Sequence, residues 1–122
     1  MKGLYTFART AKGATAFAGV ALESQEADSF SIAWVDSLPK YLEHEFGDAV
    51  RDGISMAMDH HVSLGGKPHT FKVSEITMLV TDTTPDAVLC ATAAAAWKSL
   101  GHSEPEVSFE YESGWKPTIS SA

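Results

Sequence analysis

Five histidines among sixteen acidic side chains are the first place to look for chemistry in this sequence. His44, His60, His61, His69 and His102 share the chain with Glu43, Glu45, Asp48, Asp59 and Asp82, and imidazole with carboxylate is the donor set of zinc and related divalent cations. The spacing argues against such a site. No His-x-x-x-His or Cys-x-x-Cys pair occurs, and the adjacent His60 and His61 would point about 100° apart on a helix. His44 and Asp48 are one helical turn apart and could touch. His61 and His102 suit helix C-termini, where the backbone dipole favours a cation. No metal and no cofactor are expected.

Cys90 is the lone cysteine, so no intramolecular disulfide can form, which fits a reducing compartment. A thiol in the first turns of a helix can ionise more easily, but Cys90 stands among Val88, Leu89 and Ala91 with no nucleophile motif around it. A buried structural thiol is expected. The chain has no Gly-x-Ser-x-Gly elbow and no Walker motif. Gly65-Gly66-Lys67 follows a helical segment instead of preceding one, so it reads as a helix stop and the chain is no GTPase. These residues point away from an enzyme. A small enzyme using His44, Asp82 or Cys90 stands as the alternative of that class.

The elements that would position these groups are legible from hydrophobic period. Leu4, Tyr5 and Phe7 open a β-prone stretch, and Gly13 sits in a small-residue break where a tight turn can use positive φ. Ala16, Ala18, Val20 and Leu22 then share one face of a second strand, and Phe30, Ile32 and Trp34 one face of a third. After Asp36 the period changes. Leu38, Leu42, Phe46, Val50, Ile54 and Met58 recur every fourth residue, widened by Ala49, Gly53 and Ala57, which predicts a long amphipathic helix. Asp36 or Ser37 would cap it, with Pro39 in its first turn. A fourth strand is expected from Thr70 to Thr81, with Ile76, Met78 and Val80 on one face and a bulge near Ser74-Glu75, where the parity changes. Thr84-Pro85-Asp86 then starts an alanine-rich helix that Gly101 ends. Val107, Phe109 and Tyr111 mark a last, half-exposed strand with an acidic outer face, followed by a polar tail from about residue 113. Trp34 and Trp97 are expected in the core, and Trp115 either as an exposed docking anchor or as cover over a sheet edge.

The order β-β-β-α-β-α-β predicts an α+β two-layer sandwich. A length of 122 residues suits one domain spanning 1–122. The net charge of −7 makes a broad grip on nucleic acid unfavourable, since that needs clustered cations on phosphates. No apolar run approaches a membrane span and Met1–Thr10 lacks a signal-peptide core, so a cytoplasmic protein with no membrane partner is expected.

Several segments together resemble domain IV of the ribosomal translocase, elongation factor G, from about Phe7 to Leu100. Phe7-x-Arg9, the turn through Gly13 and Phe17-Ala18-x-Val20 are similar to that domain's first hairpin. Leu38-Pro39-Lys40-Tyr41 resembles the family's apolar-Pro-Arg-x-Tyr helix start, and Ala49-Val50-x-x-Gly53-Ile54-x-x-Ala57-Met58 resembles the helix itself. Gly66-x-Pro68, the strand ending Leu79-Val80, and Ala96-Trp97-Lys98 follow in the family's order. The resemblance implies a mainly antiparallel four-stranded sheet with two helices on one face and a left-handed β-α-β crossover. It also implies tip loops at Ala11–Thr15 and Thr81–Asp86, which in the translocase reach the decoding region. This sequence departs from the family in a shorter second loop without histidine, fewer glycines in the first turn, and an insertion around Glu43–Phe46.

On that basis the expected function is a non-enzymatic binding module associated with the ribosome or ribosomal RNA, through Arg9, Lys12, Gly13, Asp82, Thr83 and Thr84. The alternative is a protein–protein or homo-oligomeric module unrelated to translation, pairing through the exposed edge of the strand Val107–Tyr111.

Overall fold

A computed structural model of the chain describes residues 1–120; residues 121–122 of the expected tail lie outside it. The order is β1 (Lys2–Ala11), β2 (Ala14–Glu26), β3 (Ser31–Trp34), α1 (Lys40–Ser63), β4 (His69–Thr77), α2 (Pro85–Ser99), β5 (Val107–Tyr111) and β6 (Trp115–Ile119), with one 3₁₀ turn, Glu104–Glu106, before β5. β1, β2, β4 and β3 lie in that order in one sheet, antiparallel except for β3 beside β4. The parallel pair is joined through α1, as parallel neighbours must be joined by a crossover. The α+β sandwich read from the sequence is the observed fold.

Alternation decides which face of the sheet is covered. Phe7, Ala16, Ala18, Val20, Leu22, Phe71, Val73 and Ile76 are buried against the helices, whereas Thr6, Thr15, Lys72 and Thr77 face outward. The parity switch in β4 is a bulge at the expected place. Ala21 pairs with Glu75 and Leu22 with Val73, which leaves Ser74 extra, and its hydroxyl donates to the Ala21 carbonyl at 3.1 Å. The fourfold stripe of α1 is the buried one: Leu42, Phe46, Val50, Ile54 and Met58 are all under 5% exposed, each side chain contributing about 1.5–3 kcal/mol of burial.

α2 is enclosed nearly all round, by α1, by β1 and β2, and by the β5–β6 hairpin. Its alanines let backbones approach, and two glycines complete the fit. A Cβ on Gly53 of α1 would lie 2.9 Å from Thr92 Cβ and 3.0 Å from both Ala93 N and Leu89 O. A Cβ on Gly3 of β1 would lie 1.9 Å from the Ala95 carbonyl oxygen. Beyond β1, Lys98 donates to the Leu4 carbonyl at 2.7 Å and pairs with Glu104 at 3.0 Å, so a helix side chain occupies part of the sheet's free edge.

Three boundaries differ from the sequence reading. α1 starts at Lys40, not under an Asp36 or Ser37 cap: Leu38 N–H bonds the Val35 carbonyl, which folds Asp36 and Ser37 into a turn, and the extended Pro39 carbonyl takes the first bond from Leu42. β4 ends at Thr77, not Thr81, because the backbone turns there, with Asp82 and Thr83 N–H both on the Leu79 carbonyl. Val80 is consequently 93% exposed. The polar tail from about 113 contains a sixth strand: β6 pairs with β5 in a separate antiparallel hairpin, with Val107 opposite Ile119 and Tyr111 opposite Trp115. Trp115, Pro117 and Ile119 turn inward in period two, a short signal that the Ser-Gly-rich approach obscured.

The close approach at Gly53 gives a discriminating pair of substitutions. Gly53→Ala should destabilise the fold by about 1–3 kcal/mol through overpacking against α2. Gly47→Ala, in the same helix with nothing nearer than 4.0 Å to its Cβ, should be neutral or stabilising by up to about 1 kcal/mol. Urea unfolding of both variants checks this, and equal losses would refute the packing account.

Candidate functional site

The two expected loops meet at one end of the sheet. The β1–β2 turn is two residues, Lys12 and Gly13, both at positive φ (51° and 80°) between the paired Ala11 and Ala14, as a tight twisted hairpin requires. The β4–α2 loop is tied to β2 by a reciprocal clamp on Phe17. The Phe17 N–H donates to the Asp82 carbonyl at 3.0 Å, and the Thr83 hydroxyl donates to the Phe17 carbonyl at 2.7 Å. Thr83 Oγ1 also accepts the Leu79 N–H at 2.8 Å, closing the loop on itself. A shallow groove of about 380 Å³ runs between the loops, lined by Arg9, Thr10, Thr15, Phe17, Leu79 and Asp82 among others.

Each expected site residue therefore has a defined place. Arg9 is exposed but held, one amino group donating to the Ala8 carbonyl at 2.9 Å and the other to the Tyr5 hydroxyl at 3.4 Å. Its guanidinium lies 5.5 Å from the Phe7 ring and 5.3 Å from the Phe109 ring, in the range of cation–π attraction. Lys12 is exposed, its ammonium 5.8 Å from the Tyr111 ring. The expected strand β5, with Phe7 of β1, thus supplies the aromatic floor beneath both cations, and the unforeseen β6 pairs with it. Gly13 stands open, with nothing within 4 Å of a Cβ position. Asp82 and Thr83 build the clamp. Thr84 caps α2 by accepting the Ala87 N–H and donates to the Asp86 carboxylate.

Asp86 joins this end to the hairpin: its other carboxylate oxygen accepts the Trp115 N–H at 2.7 Å. Burial pushes its pKa up, but hydrogen bonds from the Thr84 hydroxyl and the Trp115 and Ala87 N–H groups outweigh that and hold it below the ordinary value. Trp115 is half-buried on Phe7 at 5.2 Å, cover over β1 and not an exposed anchor.

The candidate enzymatic groups do not assemble. Cys90 is fully buried and its pKa is pushed up to about 12, first by desolvation and then by Asp86, so the folded chain offers no thiolate. Asp48 pairs with Arg51 at 3.0 Å, not with His44. Among the described residues no group of three or more His, Cys, Asp or Glu is placed to hold a metal ion. The arrangement offers two cations over aromatic rings at one end of an acidic protein, a geometry suited to contact with an anion. The edge of β5 that was expected to await a partner strand is taken on one side by β6.

No protein-family model matches the chain, and no curated protein matches it. Among solved structures, the fold is similar to part of a crystallised protein from Thermus thermophilus, with a TM-score of 0.68 and 20% identity over 82% of this chain. The match spans 15% of that longer chain. At this identity the likeness is one of fold. Among the described residues no helix is long and apolar enough to cross a membrane.

The clamp on Phe17 has a measurable weight. Thr83→Ala removes a donor to Phe17 and an acceptor for Leu79, and should cost about 1–3 kcal/mol, while Thr83→Ser should keep most of it. Faster amide exchange at Leu79 and Phe17 in the alanine variant alone would report loss of the tie; unchanged exchange would refute it.

Proposed function

We propose that the chain is a non-enzymatic binding module of the translation apparatus in the cytoplasm, docking on ribosomal RNA through the end that carries Arg9 and Lys12. The observation that carries this reading is the β4–α2 loop clamped to β2 beside two cations held over Phe7, Phe109 and Tyr111. The resemblance of the segments Phe7–Val20 and Leu38–Met58 to the translocase domain points to the same end of the fold. A charge of −7 repels phosphate at a distance, but the screening length of about 8 Å at physiological salt leaves two tip cations to act at contact. The chemistry proposed is phosphate neutralisation with stacking, confined to a small patch.

Co-sedimentation with ribosomes at low salt tests it. Wild type should pellet with them. Arg9→Gln with Lys12→Asn should weaken binding about tenfold or more and flatten the salt dependence by about two phosphate contacts. Asn is chosen at position 12 because it tolerates left-handed backbone, and thermal melting confirms folding. Lys67→Gln, at the opposite end of the sheet, should bind as wild type. A wild-type protein that never pellets, or pelleting indifferent to Arg9 and Lys12, would overturn the proposal.

A further inference from the structure

The end of the sheet opposite the loops holds a cluster of imidazoles. His61 lies in the last turn of α1, His69 is the first residue of β4 opposite Glu26 of β2, and His102 follows the C-terminus of α2. His61 Nδ1 and His102 Nε2 are 2.8 Å apart in a hydrogen bond. The His69 ring centroid is 5.4 Å from that of His61, and His69 Nδ1 is buried with no hydrogen-bond partner. His102 in turn stacks on Trp97 at 3.7 Å and 13° between planes. Trp97 is fully buried and donates through Nε1 to Glu106 at 3.2 Å. Behind His61 there is no slack: a Cβ on Gly66 would lie 2.2 Å from His61 Nε2. Two segments that are distant along the chain, the end of α1 and the residues after α2, thus meet through one nitrogen–nitrogen contact, with His69 of β4 beside it.

That contact tolerates only certain protonation states. One nitrogen must donate and the other accept, so the bond exists when the pair is neutral or carries a single proton. With both rings cationic, each nitrogen bears a hydrogen and the contact becomes repulsive. We propose that the His61–His102 pair, with His69 beside it, is a pH-sensitive clasp that holds the C-terminal turn of α1 to the segment following α2 and releases them in mild acid.

The surrounding charges set the direction. Desolvation lowers the pKa of all three rings. His61 adds to this at both His69 and His102, the N-terminal ammonium adds to it at His69, and His60 adds to it at His102. Glu26 opposes at His61 and His69, and Glu106 at His102, without reversing it. A base whose pKa is depressed by folding contributes stability that is complete above its unfolded pKa near 6.5. That stability is lost progressively as the pH falls from there toward the folded value, because the unfolded chain takes up the protons first.

Amide exchange corrected for its intrinsic pH dependence, together with histidine ¹⁵N titration, tests the clasp. The Gly66 and His102 amides, bonded to the His61 and Trp97 carbonyls, should lose about tenfold or more of their protection between about pH 7.5 and about pH 5.5. The Phe17 amide at the other end should not follow. His61 and His102 should titrate in separate steps, the second below the ordinary imidazole range. His102→Gln, which keeps a hydrogen-bonding group without the titration, should abolish the local pH dependence; His61→Gln serves if that variant does not fold. Independent titration of both rings near the ordinary value, or acid loosening that both glutamine variants retain, would overturn it.

Discussion

The approach of α2 to its neighbours at backbone distance is the constraint on which the rest of the structure depends. Where α2 is lined by alanine, threonine and serine it presents little side-chain bulk, so there it gains dispersion contacts only by coming close. Gly53 and Gly3 are where α1 and β1 give way to it. Once α2 is seated, Trp97 and Val88 belong with Phe7, Phe46 and Val20 to one continuous core. A larger side chain at either glycine would separate the layers over more than its own site, because close-packed interiors transmit a displacement.

α2 is also the beam between the two ends of the molecule. At its N-terminus Thr84 caps it, and Asp86 reaches across to the β6 backbone. At its C-terminus Trp97 and the following His102 make the stacked pair that abuts α1. The two ends differ in character. The loop end is held by hydrogen bonds to main-chain groups, Phe17 with Asp82 and Thr83, which do not titrate near neutrality. The opposite end is held by a contact between two imidazoles, which do. A change in acidity therefore acts at one end while the cation-bearing end keeps its geometry.

The β5–β6 hairpin shows how a modest segment can alter the reading of a site. Arg9 and Lys12 are two isolated cations in a sequence with excess acid. Placed over Phe109 and Tyr111 they become oriented groups on an apolar floor. The same hairpin covers Phe7 with Phe109 and Trp115 in edge-to-face contact at 5.0 and 5.2 Å, which closes the core beside β1.

Local pattern determined much of this chain. The fourfold stripe from Leu42 to Met58, the alternation from Ala16 to Leu22, the parity change at Ser74 and the Thr84-Pro85-Asp86 helix start all follow from periodicity and capping, and each is set by residues close together along the chain. Backbone stereochemistry acts at that range, so it leaves a trace in the order of residues. The pairings that make the two ends of the molecule leave none. Thr83 meets Phe17 across 66 positions and His61 meets His102 across 41, and neither partner advertises the other. β6 lies between these cases: Trp115, Pro117 and Ile119 alternate, but five residues acquire meaning as a strand only beside β5. Side-chain types and their period are properties of the chain, whereas which polar group finds which is set when the layers close, since burial makes an unpaired donor or acceptor costly and the fold alone brings the partner within reach.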